Sequence, residues 1–357
     1  MRGARVKRTV RKGALVFALV LVAFLVSLLL SPQRRHAAST STVVLIPKGA
    51  EVGQIGDILK EEGVIGNTTV FILTAKILRV ERNLRAGRYT MVKNAGTFEA
   101  IRQLEEGMKA KDFVTIPEGL TSSEIADVLF RELLVDPKAF LTLINDSSFA
   151  SAAGVSAPSL EGYLFPDSYA FVPGTEPAEI VKEMVSKGRH VFGIEFGNRG
   201  KEMGLTWHQA LTLASIVEGE AQVDEERPRI AAVFWNRLRA GFRLQADPTV
   251  AFALGGRRER IVYKDLEVDS PYNTYRVSGL PPGPISNPGE QAVRAVLYPL
   301  EGCEDLYFVA RGDGTHVFSS SLAEHLAAIE SIRGATANSA KAPGGATAPG
   351  GKAMPNS

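Results

Sequence analysis

The feature that most limits what this chain can fold into is an 18-residue stretch, Gly13 to Leu30, that carries no charge and is dense in Leu, Val, Ala and Phe. As a helix it meets the minimum needed to cross about 30 Å of hydrocarbon. Arg2, Arg5, Lys7, Arg8, Arg11 and Lys12 precede it, while only Arg34 and Arg35 follow closely. The positive-inside bias therefore leaves the N-terminus in the cytoplasm. The chain is predicted to have a basic cytoplasmic tail (1–12), one transmembrane anchor (13–31), a small polar linker (32–42) and an extracytoplasmic or periplasmic remainder held at the cytoplasmic (inner) membrane. A cleaved signal peptide is the competing reading, although its apolar core usually spans about 7–15 residues and the weak cut site Ala37-Ala38-Ser39 lies far downstream. Both readings export the rest of the chain. A buried helix of a soluble protein fits poorly with the flanking cations.

The anchor also explains the charge balance. The net charge is +2, yet the eight cations within residues 1–36 have no acid among them, so the remainder carries −6. Basic character confined to one end removes the main support for nucleic acid as a partner. A single cysteine, Cys303, excludes an internal disulfide and a cysteine-based structural zinc site. A length of 357 residues with 45% hydrophobic and 22% charged residues is ordinary globular material, enough for two domains at about 150 residues each. From about residue 334 the chain turns to Ala, Gly, Pro and Ser and is expected to be a disordered tail, since it offers too little apolar surface to offset its ordering entropy.

Between linker and tail runs an internal repeat. Val44, Ile46, Pro47, Gly49, Ile55 and Leu59 recur 70 residues later as Val114, Ile116, Pro117, Gly119, Ile125 and Leu129. Each copy reads as a short strand, a Pro-x-Gly turn and an amphipathic helix, and Gly96 to Leu104 has the pattern of a further helix. One repeated pair is too little for a solenoid. The pattern predicts an α+β chain with a small module at 43–112 and a second α+β domain at 113–333. In that second domain, Tyr163, Phe165, Tyr169 and Phe171 are interleaved with Glu161, Asp167, Gly162 and Pro166. Such a loop suits a sugar groove, where rings stack on sugar faces; it suits equally an aromatic loop packed on the core.

The most informative stretch follows Gly204. Thr206 and Gln209 fit a capping box, and Ala210, Ala214, Val217 and Ala221 repeat at helical spacing. Glu218 falls on the edge of that apolar stripe, a setting that disfavours the ionised form and suits a general acid near neutral pH. A salt-bridge role is the plainer alternative. Glu220 lies about 200° round the helix from Glu218 and is not expected to act with it. A second helix is expected from Asp224, with Pro228 in its first turn and Gly241 after its end. Leu244 to Thr249 and Ser270 to Tyr275 read as polar turns, and Gly279 to Pro288 as a stiff Pro-rich loop. There is no His-Glu-x-x-His, no Gly-x-Ser-x-Gly elbow and no phosphate-binding Gly-x-x-x-x-Gly-Lys. His316 is read as structural or groove-lining, and His325 as a surface or packing residue on the last helix.

Taken in order, Leu160-Glu161-Gly162-Tyr163, Phe165-Pro166-Asp167, Ala214 to Glu218, Val233 to Leu238, Leu244 to Thr249, Ser270 to Tyr275 and Gly279 to Ile285 resemble the endolytic murein transglycosylases of the MltG (YceG-like) family. The resemblance covers residues 43–332 and extends to the anchor; Arg311 and Leu326 depart from it, near the C-terminal strand and helix. It implies a LysM-like subdomain followed by an α+β catalytic transglycosylase domain. It also implies cleavage of the MurNAc–GlcNAc β-1,4 bond within nascent glycan strands, leaving 1,6-anhydro-MurNAc ends and helping to terminate elongation. Glu218 takes the position of the catalytic acid/base. Gln245, Asp247, Tyr272, Asn273 and Asn287 fall in the groove motifs, with Glu161 and Tyr163 in the aromatic loop. No cofactor or metal is implied. The implied partners are peptidoglycan strands and the peptidoglycan synthases (penicillin-binding proteins) of elongation and division. A hydrolytic muramidase, with Glu161 or Asp247 as a second carboxylate, and a non-catalytic peptidoglycan-binding scaffold remain the alternatives.

Overall fold

The computed structural model describes residues 40–108, 113–258 and 260–341. The predicted basic tail, the anchor and all but the end of the linker lie outside the described residues, as do residues 342–357. Among the described residues no helix is long and apolar enough to cross a membrane. Helices and strands are mixed throughout, giving an α+β chain, and it divides into two compact units.

The first unit holds the described residues up to Val114 together with Arg131–Val135 and Tyr169–Thr175. Its order is β1 (Ser41–Ile46), α1 (Val52–Glu61), α2 (Thr68–Leu78), β2 (Gly87–Val92) and α3 (Thr97–Glu106). The strands pair antiparallel, with Val44 opposite Tyr89 and Ile46 opposite Gly87. Alternate residues therefore face inward, and Val44, Ile46, Tyr89 and Met91 are buried with Ile55, Leu59, Phe71, Ile101 and Leu104 from the helices. The Pro47-Lys48-Gly49 turn closes through the Ala50 N–H, which donates to the Pro47 carbonyl at 3.2 Å. Gly49 adopts φ +81° there, a backbone that a side chain would strain. Asn67 caps α2 by accepting from the Val70 N–H at 3.1 Å.

The second unit holds Thr115–Phe130, Asp136–Ser168 and the described residues from Glu176 on. The second repeat copy opens it. After the short strand β3 (Val114–Thr115), the Pro-x-Gly turn leads into α4 (Ser122–Leu133), where Thr121 and Glu124 cap each other reciprocally. Ile116, Ile125 and Leu129 are buried, as Ile46, Ile55 and Leu59 are in the first copy. Helices α5 (Pro137–Ile144) and α6 (Ser147–Ala152) follow, then strand β4 (Ser168–Tyr169) and the long α7 (Pro177–Glu202), which bends at Gly193.

The core of this unit is built on α8 (Trp207–Glu220), α9 (Arg227–Arg239) and α11 (Glu290–Leu297), with the hairpin β5 (Tyr307–Ala310) and β6 (His316–Ser319) packed beside them. Trp235 Nε1 donates to the Val296 carbonyl at 2.9 Å, and Asn236 Nδ2 to those of Cys303 and Asp305. These bonds tie α9 to α11 and to the chain that follows it. The segment expected as a polar turn at 244–249 instead starts a helix, α10 (Asp247–Ala253), with Pro248 in its first turn. Proline lacks the N–H that such a position leaves unpaired in any case. The last helix, α12, spans Leu322–Lys341 and so continues past residue 334, where the sequence places the start of the tail.

Candidate active site

Glu218 is placed by three constraints at the C-terminal end of α8. Thr206 and Gln209 fix the helix start, Thr206 Oγ1 accepting from the Gln209 N–H at 3.2 Å and Gln209 Oε1 from the Thr206 N–H at 2.9 Å. From Ala210 to Val217 every residue is buried, so α8 is a central helix and not the half-exposed one its apolar stripe suggests. At the far end Gly219 meets Pro248 so closely that a methyl group there would lie 2.8 Å from the proline Cβ. Beyond Glu220 the backbone becomes extended at Ala221, passes through the 3-10 turn Asp224–Glu226 and enters α9.

That reversal brings Arg227 onto Glu218. Arg227 Nη2 donates to Glu218 Oε1 at 3.0 Å, between side chains only 10% and 7% exposed. The Gly289 N–H donates to Glu218 Oε2 at 3.1 Å. Glu218 is therefore not a carboxyl isolated on an apolar edge; each oxygen has a fixed donor. Burial works against the Arg227 charge, but Glu218 and Asp224 outweigh it and hold the guanidinium ionised.

The cleft beside Glu218 has a volume of about 650 Å³, and Glu220, Asp247, Ser286 and His316 also line it. Residues 218–222 all contribute, because the cleft wraps the last turn of α8. Glu220 thus reaches the same space as Glu218 despite lying round the helix from it. Burial, reinforced by the Asp247 charge, pushes Glu220 up to about 8, and its Oε1 is buried with no partner among the described residues. Burial also raises Asp247, against the pull of the Tyr275 hydroxyl that donates to it at 2.6 Å. His316 Nδ1 meets Glu226 at 2.6 Å while its backbone N–H donates to the same carboxylate.

Among the described residues, Glu218 and Asp247 are the two sequence-predicted site residues that line this cleft; the other six set the loops around it. Asn287 is 1% exposed. Its Oδ1 accepts from the Leu164 N–H at 2.8 Å, and its Nδ2 donates to the Leu120 carbonyl at 2.9 Å and to Glu161 at 3.0 Å. Glu161 takes the Ser122 N–H on both oxygens; burial pushes it up to about 7 while these hydrogen bonds pull the other way. Asn273 is fully buried, donates to the carbonyls of Leu266 and Val268, and accepts from the Tyr275 N–H. Tyr163 bonds through its hydroxyl to His208 Nδ1 at 2.9 Å, and His208 Nε2 meets the Pro282 carbonyl at 2.9 Å. Burial pushes Tyr163 up to about 12. The Tyr272 ring packs on Phe252 at 4.9 Å. Gln245 takes φ +49° and donates its N–H to the Thr274 carbonyl at 3.2 Å, which makes the bend into α10.

Sequence reasoning did not single out Arg227, Gly289 or Glu118. Arg227 and Gly289 meet Glu218 only after the chain has folded back, so spacing gives no cue. Glu118 lies in the second Pro-x-Gly turn, and its carboxyl rests so closely on Gly289 that a side chain there would have to displace it. Burial raises Glu118, and the charge of Glu218 adds to the shift. Gly119, at φ +73°, lets the same turn approach the Glu218 side chain; a Cβ there would lie 3.2 Å from Glu218 Cγ. One signal was present: the residue between Pro and Gly is Lys48 in the first copy and an acid in the second.

Comparison with known proteins agrees along most of the chain. The YceG-like family model matches residues 44–331. The endolytic murein transglycosylase of Bacillus subtilis (strain 168) is 35% identical over 318 residues, covering 85% of this chain and 87% of that protein. The endolytic murein transglycosylase of Streptococcus pneumoniae (strain R6) is 31% identical over 297 residues, covering 74% of this chain and 53% of that one. Among solved structures, a yceG-like protein from Listeria monocytogenes is similar at a TM-score of 0.58 and 35% identity, over 81% of this chain and 99% of that one.

Proposed function

The chain belongs to the YceG-like family, and we propose that it is an endolytic lytic transglycosylase of peptidoglycan with Glu218 as its acid and then its base. The observation that carries this reading is the setting of Glu218: one carboxylate on the wall of a cleft, held between the Arg227 guanidinium and the Gly289 N–H. In the first step protonated Glu218 gives its proton to the glycosidic oxygen as the C1–O bond breaks. In the second the sugar's own 6-hydroxyl closes on C1, and its proton returns to Glu218. No water is consumed, and the product ends in a 1,6-anhydro ring. The two fixed donors serve the stage between these steps, when Glu218 is an anion and must hold its orientation.

A hydrolytic muramidase is supported by a separate observation: Asp247 lines the same cleft and could activate water as a second carboxylate. The β-α-α-β order of the first unit, with its antiparallel strand pair, supports the LysM-like reading of residues 43–112. With the anchor at 13–31 in the cytoplasmic membrane, the second unit would work beside the synthases that extend the strands, ending their elongation. The deciding measurement is mass spectrometry of un-crosslinked glycan strands digested by the wild-type protein and by Glu218→Gln. Internal fragments with anhydro ends from the wild type alone are expected. Hydrated ends would move the assignment to a muramidase, and undiminished cleavage by Glu218→Gln would remove Glu218 from the mechanism.

A further inference from the structure

Three arginines stand on the wall of the Glu218 cleft: Arg257, Arg258 and Arg260. They follow α10 in the stretch Gly255-Gly256-Arg257-Arg258-Glu259-Arg260, three cations to one acid. All three are exposed. Arg257 is partly committed, since its Nη2 donates to the Gly119 carbonyl at 2.8 Å and its Nε lies 3.5 Å from Glu124. A Cβ built on Gly119 would lie 3.3 Å from Arg257 and 3.2 Å from Glu218, so this arginine and Glu218 flank one glycine. Arg258 and Arg260 have no carboxylate partner among the described residues; Arg258 makes one long contact, 3.5 Å, to the Leu254 carbonyl.

Cations at this place need a reason, because the chain beyond residue 36 is acidic on balance, at −6. The sugar rings are neutral; the anions of such a strand are the carboxylates of its peptides and, where a peptide is missing, of the lactyl group that carried it. Of the acids of the cleft, Glu218 is paired with Arg227 and Asp247 accepts from Tyr275, while burial raises Glu220. Arg258 and Arg260 are therefore open to an anion that arrives with the substrate. Guanidinium groups present fixed forks of N–H donors that match a carboxylate in pairs.

We propose that Arg258 and Arg260, with Arg257 behind them, form a subsite for the carboxylates of the peptides carried by the glycan strand, so that this protein selects peptide-bearing strands over bare ones. The inference rests on the transglycosylase reading and gives its substrate a chemical class. The subsite contributes through substrate capture and leaves bond breaking to Glu218.

The test uses the full chain in detergent and two substrates: un-crosslinked strands that retain their peptides, and the same strands stripped by an amidase, which keep one lactyl carboxylate on each MurNAc. The wild type is expected to favour the peptide-bearing strand in kcat/KM. The double variant R258Q/R260Q should lower that preference about tenfold, the size expected for two exposed ion pairs, with the change in KM and not in kcat. R258K/R260K should restore part of it, and salt should erode the wild-type preference. Equal preference in wild type and R258Q/R260Q would overturn the subsite. A second arm, calorimetric binding of a soluble peptide-bearing fragment and its stripped counterpart to Glu218→Gln, separates the two readings. Binding that depends on peptide and on these arginines, without cleavage by the wild type, would keep the subsite and reject the transglycosylase. Cleavage with no peptide dependence in either arm would do the reverse.

Discussion

Replacing Arg227 by Gln removes one of the two donors to Glu218 and leaves a nearly buried carboxylate with only the Gly289 N–H. Breaking a buried pair from one side costs about 3–5 kcal/mol. Arg227→Gln should therefore destabilise the second unit by about 3 kcal/mol at pH 7. The Asp224 side of Arg227 contributes little, since Asp224 is 78% exposed and such pairs are worth at most about 1 kcal/mol; Asp224→Asn is the control. Glu218→Gln combined with Arg227→Gln should recover about 2 kcal/mol of the loss. The assay is urea unfolding followed by tryptophan emission. Both of the chain's tryptophans, Trp207 and Trp235, sit in or against the core that carries α8, so the signal reports the unit that holds the site. A loss below about 1 kcal/mol at pH 7 would refute the buried-pair reasoning.

Three further outcomes are expected. Glu161 and Glu220 are raised in the fold to about 7 and about 8, so their contribution to stability is full below about pH 4.5 and is lost as pH rises through those values. Glu220→Gln should flatten the fall in the urea midpoint between pH 5 and 8, and an unchanged slope would exclude Glu220 as its source. Gly219→Ala would set a methyl 2.8 Å from Pro248, displacing the end of α8. Cleavage should fall about 10- to 100-fold from so small a displacement, while stability drops by about 1–2 kcal/mol; full activity would show that the Glu218 geometry tolerates the shift. Asn287→Ala strips three side-chain bonds from a buried node and should cost about 2–3 kcal/mol in the same urea assay. Asn287→Asp should be worse at pH 8 than at pH 5, because it puts a second carboxyl against Glu161, and a pH-independent loss would contradict that contact.

Much of this protein is determined by short-range pattern. The capping box at Thr206, the positive-φ glycines of the two Pro-x-Gly turns and the alternation in β1 and β2 are local, because each is set within a few residues by backbone sterics or hydrogen bonding. The Glu218 motif is likewise readable from the chain, through resemblance. What surrounds Glu218 is not. Periodicity shows one apolar stripe on α8, whereas its burial on every side comes from α9, α11 and α7, which meet it from distant parts of the sequence. Asn273 and Asn287 carry the residue types of a sugar groove, yet every polar atom of their side chains is engaged inside the fold. Composition cannot tell a hydrogen-bonding group offered to a ligand from one used on a neighbouring carbonyl. The donors to Glu218 come from the start of the next helix and from a loop 71 residues on. Only the closing of the tertiary structure brings them to one carboxylate, because the distance between an acid and its partner is a property of the packed chain.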